Sequence, residues 1–231
     1  MNSRLIIFWL WMAPFAVKAD YTPMKLYKMI LGADKIVYGE IIEIDSLTYK
    51  LKIEGDLTGE DKIIKVFKFT DWPCAWRWTD YEIGQKQFLF LKKYKGEIEK
   101  HKIKYYAMSA GNEGELPVLD NFVFINGKSL KSLPANYPDS IKQLYAKEGR
   151  RLISNNHSIY SSEFFGHKVA VKEFIVTCKT IRRCFQIELG KFHIIEKVTI
   201  KCDAEELKKM CCTDQILNWT FKELNIKSTS N

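Results

Sequence analysis

Three tryptophans, Trp72, Trp76 and Trp78, fall within seven residues in the stretch DWPCAWRWTDY (residues 71–81). An indole offers a large flat face and a single N–H donor, which suits stacking on a sugar ring or on a partner's side chain. Trp76, Arg77 and Trp78 are therefore the candidate ligand-binding residues. The same rings would serve equally well to pack a loop onto a core, with Cys74 tying that loop down. A second mixture interleaves Lys92, Lys93, Lys95, Lys100, Lys102 and Lys104 with Tyr94, Tyr105 and Tyr106. Cations that alternate with aromatic faces can track an acidic polymer, although lysines on an exposed strand also guard a sheet edge against unwanted pairing.

Six cysteines, Cys74, Cys178, Cys184, Cys202, Cys211 and Cys212, point to disulfides if the compartment is oxidising. Six residues allow fifteen pairings, and a bond from Cys74 to the stretch carrying Cys178 and Cys184 is the expected one. A zinc site built from His193, Cys202 and the Cys211–Cys212 pair is the alternative, but it lacks the Cys-x2-Cys spacings that mark such sites. No metal, cofactor or catalytic residue is assigned. His101, His157, His167 and His193 have no ligand spacing, and there is no nucleophile elbow, His-Glu-x-x-His helix or phosphate loop.

Residues 1–19 set Arg4 before an uncharged apolar run (residues 5–17, LIIFWLWMAPFAV) and end on small residues, the layout of a cleavable secretory signal. A membrane span needs about 20 apolar residues, whereas this run has 13, is broken by Pro14 and is followed by Lys18. The expectation is a secreted or periplasmic chain that begins at Asp20, with no transmembrane segment after cleavage. The full chain carries a net charge of +8, and losing Arg4 and Lys18 with the leader leaves +6. Such a field favours acidic surfaces, while export sets aside intracellular nucleic acid as a partner. Asn156-His157-Ser158 and Asn218-Trp219-Thr220 fit the N-glycosylation pattern.

These residues have to be positioned by something, and from residue 33 to about 93 the pattern is β. Residues 36–44 (IVYGEIIEI) are rich in β-branched side chains, and Leu47, Tyr49, Leu51 and Ile53 alternate with polar neighbours. A third strand is expected over residues 62–69. Residues 87–91 (QFLFL), apolar on both faces, read as a central strand covered on both sides. Residues 112–117 read as an exposed loop and 122–125 as a strand entering a tight turn. The second half changes character. Helices are expected from Asp139 or Ser140, over 170–183, and after Asp203, where Glu206 completes a capping box. Residues 187–200 are β-like, and 226–231 form a polar tail.

The run Ala33-Asp34-Lys35-Ile36-Val37-Tyr38-Gly39-Glu40, the alternating strand that ends Glu54-Gly55-Asp56-Leu57-Thr58-Gly59, and Ile83-Gly84-Gln85-Lys86-Gln87-Phe88-Leu89-Phe90-Leu91 resemble the netrin-like family, which includes the tissue inhibitors of metalloproteinases and uncharacterised exported bacterial proteins. The resemblance implies an α+β fold: an OB-type β-barrel with packed helices, mostly in the C-terminal half. The organisation that follows is a signal at 1–19, a barrel domain at 20–130 and a mixed α/β region at 131–231 that packs on it. The inhibitors present an N-terminal cysteine to the protease zinc, and a chain beginning Asp20-Tyr21 cannot. The function expected is a non-enzymatic exported binding or protein-interaction module, with a protein, a glycan or another acidic polymer as partner. The alternative is a hydrolytic or thiol enzyme.

Overall fold

The computed structural model describes residues 23–71, 77–94, 105–109, 113–126, 167–189 and 195–228. Five strands close on one another: β1 (Lys35–Ile44), β2 (Thr48–Asp56), β3 (Ile63–Phe67), β4 (Lys86–Lys93) and β5 (Tyr105–Ala107). β2 lies antiparallel between β1 and β3, with Ile41 opposite Leu51 and Leu51 opposite Ile64. β3 runs parallel to β5, β5 antiparallel to β4, and β4 antiparallel to β1 with Val37 opposite Leu89, which shuts the barrel. This is the OB-type barrel implied by the resemblance, and closure leaves these strands no open sheet edge.

Alternation along each strand separates two cores. Val37, Ile41, Tyr49, Leu51, Ile64, Val66, Leu89 and Leu91 form one cluster. Ile36, Tyr38, Phe88 and Phe90 belong to the other, with the helices. Both faces of β4 are therefore covered, as its doubly apolar sequence requires, and Phe88, Leu89, Phe90 and Leu91 are fully buried. At Gly39 the register slips against β2. A Cβ there would stand 2.2 Å from the Lys52 carbonyl oxygen, so only glycine lets the strand coil at this point.

β6 (Glu115–Leu119) and β7 (Phe122–Ile125) extend the sheet from the N-terminal part of β4, joined by Asp120 and Asn121, both at positive φ. Paired Asx residues tolerate that conformation and suit a two-residue hairpin. Residues 113–117 are buried in this hairpin rather than forming the exposed loop expected, because the Glu113 and Glu115 carboxylates find partners inside. β8 (His167–Ala170) pairs with β7 and brings the C-terminal half onto the same sheet.

Four helices are described. α1 (Leu26–Gly32) and α2 (Val171–Cys184) pack against the barrel wall, with Phe174 meeting Phe88 edge-on at 4.8 Å. β9 (Phe185–Leu189) and β10 (Ile195–Ile200) form a small hairpin, followed by α3 (Ala204–Thr213) and α4 (Gln215–Ser228). Asp203 caps α3 by accepting from the Glu205 and Glu206 N–H groups. Glu206 does not reach back, as a capping box requires, but accepts from Arg183 at 2.8 Å. α4 runs to Ser228, past the start of the expected polar tail. The expected leader, the helix from residue 139, and His101, His157 and His193 lie outside the described residues. No helix among the described residues is long and apolar enough to cross a membrane.

Candidate functional site

Of the candidate ligand-binding residues Trp76, Arg77 and Trp78, Arg77 and Trp78 are buried rather than displayed at the surface, and Trp76, like Cys74, lies outside the described residues. Burial becomes possible because every N–H of the Arg77 guanidinium has an acceptor. Nε donates to Glu115 Oε2 at 2.7 Å, one terminal nitrogen to the Thr79 and Asp80 carbonyls, and the other to Gln85 Oε1 and Gln87 Oε1. Trp78 Nε1 donates to the Glu115 carbonyl at 2.8 Å, and Arg77 N donates to Asp71 Oδ1, which cinches the base of the loop.

The Glu115 carboxylate also accepts from the hydroxyls of Tyr49 and Tyr81. The guanidinium stacks 3.9 Å from the Tyr81 ring and 4.3 Å from that of Trp78. Burial pushes the Glu115 carboxyl above its ordinary range, opposed by Arg77 and the two phenols. Burial, together with the charge of Glu115, raises the Tyr49 and Tyr81 phenols far above theirs. Glu115 is fully buried, and this cluster fastens residues 77–81 to the barrel.

The cysteines divide differently from the expectation. Cys184 bonds Cys202 across the β9–β10 hairpin, so neither is available to Cys74 or to zinc. The corrected assignment leaves Cys178, Cys211 and Cys212 as free thiols, since their helices turn Cys178 and Cys211 into the core. Burial, with Asp214 adding to it, raises the Cys178 thiol well above its usual range and raises Cys211 as well. Thiols held protonated are poor nucleophiles. Among the described residues no three His, Cys, Asp or Glu side chains gather to hold a metal.

One accessible concavity among the described residues lies where β3 and β4 end and β5 begins, beside α1 and α2. It measures about 1170 Å³ and is lined by Ala33, Asp34, Phe67, Lys92, Lys93, Tyr94, Tyr106 and Arg182. Lys92, Lys93 and Tyr94 come from the end of β4, and Tyr106 from β5 stands opposite Lys92. The Phe67 and Tyr94 rings pack at 5.2 Å, leaving Tyr94 and Tyr106 each about 40% exposed. Arg182 reaches from α2 to donate to the Ile30 and Ala33 carbonyls at the end of α1, both at 3.0 Å. Among the described residues that line it, three cations face a single carboxylate, Asp34.

Lys92 Nζ contacts Asp34 Oδ1 at 3.1 Å, and the Lys93 N–H donates to Asp34 Oδ2 at 2.9 Å. Partial burial works against the Asp34 carboxylate, but the Lys93 N–H and the Lys92 ammonium outweigh it and hold its pKa below the usual value. The charge of the Lys93 ammonium adds to the field that holds Asp34 ionised. Lys92, Lys93, Tyr94 and Tyr106 were legible as a basic and aromatic mixture; Lys95, Lys100, Lys102 and Lys104 lie outside the described residues. Phe67, Asp34 and Arg182 were missed. Phe67 ends a strand and Asp34 precedes one, with nothing unusual in their spacing, and Arg182 reaches the cleft only through the docking of α2 on α1.

No protein-family model matches the chain. No curated protein shows significant similarity to it.

Proposed function

We propose that this chain is an exported, non-enzymatic binding module and that the cleft where β3 and β4 end and β5 begins takes an acidic glycan chain. The observation that carries the reading is the lining itself, in which Lys92, Lys93 and Arg182 meet the exposed rings of Tyr94 and Tyr106, with one acid among the described lining residues. Ammonium and guanidinium groups pair with carboxylates or sulfates, while phenol rings offer flat faces to sugars. The cleft is open rather than enclosed, so a bound chain can extend beyond it. OB-type barrels bind oligonucleotides and oligosaccharides on the face of their second and third strands and the adjoining loops, including the one that follows β4 here, an analogy of fold that does not carry the reading. Burial of Cys178 and Cys211 in the core disfavours these two as the nucleophile of a thiol enzyme.

Titration with polygalacturonate, heparin, neutral dextran and single-stranded DNA tests it. The acidic glycans should bind, more weakly as salt rises, dextran should not, and Lys93→Glu should cost about tenfold or more, since it reverses a charge at the cleft. Tighter binding of DNA than of either glycan, or no effect of Lys93→Glu, would overturn the glycan reading.

A further inference from the structure

We infer that Asp34 is an internal counter-ion, which occupies Lys92 until a ligand's acid group replaces it and so sets the affinity of the cleft; this rests on the cleft being the ligand site. Asp34 is the second of the two residues between the end of α1 and the start of β1, and its N–H donates to the Leu91 carbonyl at 2.9 Å. That bond fixes the backbone beside β4 and aims the carboxylate at the strand's end. One oxygen takes the Lys92 ammonium and the other the Lys93 N–H. An ammonium beside an amide N–H is a donor pair that a carboxylate or sulfate of a bound chain would also seek.

Two other pairs show what a permanent bond looks like in this fold. Lys35 and Asp56 are about 5% exposed and meet at 2.5 Å, and Arg77 and Glu115 are sealed. The Asp34–Lys92 pair is 36% and 32% exposed, longer at 3.1 Å, and opens into the cleft. Half-exposed ion pairs contribute little and are screened by salt. A multivalent acidic chain can therefore displace this one, and binding is weaker than the three cations would otherwise give.

The test compares polygalacturonate binding by the full chain, Asp34→Asn, Lys92→Gln, the double variant and Asp120→Asn. Asn keeps an acceptor for the Lys93 N–H. Asp120 sits in the β6–β7 turn at positive φ, which Asn tolerates, and changes net charge equally away from the cleft. Asp34→Asn should bind about two- to fivefold tighter, the range for freeing one exposed charge, and Asp120→Asn about as the parent does. The gain should vanish in the Lys92→Gln background, as expected of a directly coupled pair. Asp34→Ser, whose hydroxyl also accepts, carries the same expectation should the Asn variant fail to fold. Binding by the parent with an unchanged or weaker Asp34→Asn overturns the counter-ion role alone, since a residue that only braced the α1–β1 corner would lower stability without raising affinity. No binding by the parent or either Asp34 variant overturns the cleft reading and this one together.

Discussion

Arg77 and Glu115, 38 positions apart, meet Nε to Oε2 at 2.7 Å, with 2% and 0% of their side chains exposed. The contact joins the tryptophan stretch to the start of β6. It also explains why two segments rich in polar residues are buried together, since each supplies what would otherwise be an unpaired charge in the other.

Breaking that contact should be costly. Glu115→Gln or Arg77→Leu should each destabilise by about 3–5 kcal/mol, because one partner is left as an uncompensated buried charge or loses its main donor. Trp78→Ala should cost a similar ~3–5 kcal/mol through the cavity it leaves. Urea melts at neutral pH measure all three, and costs within about half a kcal/mol, usual at exposed positions, would contradict the buried placement.

What was legible in the sequence was periodicity. Alternation in β2, the doubly apolar β4 and the apolar face of α2 each depend on a residue's near neighbours. The helix expected over 170–183 is observed at Val171–Cys184. What was not legible was pairing at a distance. Gly114 and Pro117 read locally as loop, yet Glu113 accepts from the Met24 N–H and from Ser109, and Glu115 from Arg77, Tyr49 and Tyr81. A Trp-Arg-Trp-type cluster has the same composition at a contact surface as in a core, and only the position of a carboxylate 38 residues on separates the two. The cleft was half legible for the same reason: its β4 and β5 residues are close in sequence, whereas Arg182 arrives by helix packing.

Alkaline pH should weaken the fold early. Burial raises Tyr49 and Tyr81 far above 10 and, with Glu223 adding to it, Tyr27 to about 12. Phenols of the unfolded chain begin to lose protons near pH 10 while these three keep theirs, so the stability they contribute is intact below pH 10 and is lost as pH rises towards the folded values. The decline should approach about 1.4 kcal/mol per pH unit for each phenol. Denaturant melts from pH 7 to 11.5 should show it, and Tyr81→Phe should make the slope shallower. A flat profile between pH 9 and 11.5 would contradict the buried phenols.

The thiols should react in two classes. In a Cys74→Ser background, Ellman's reagent should modify exposed Cys212 within the native protein, whereas Cys178 and Cys211 should wait for unfolding. Cys184–Cys202 spans 18 positions, and removing it should cost about 3 kcal/mol in the chain-entropy description. Three fast native thiols in that background would contradict the buried assignments.

Export predicts its own processing. Intact-mass and N-terminal analysis of protein recovered from its native compartment should find Asp20, or a residue within about two of it, first in the chain. Retention of Met1 in a membrane fraction would count against export.

The most direct measurement of the central claim is a hydrogen-exchange footprint of the full chain titrated with polygalacturonate. Protection should rise at residues 33–34, 67, 92–94, 106 and 182, fade at high salt, and leave the β6–β7 turn unchanged. Protection centred on residues 77–81, or saturable binding that leaves the cleft residues untouched, would contradict the account.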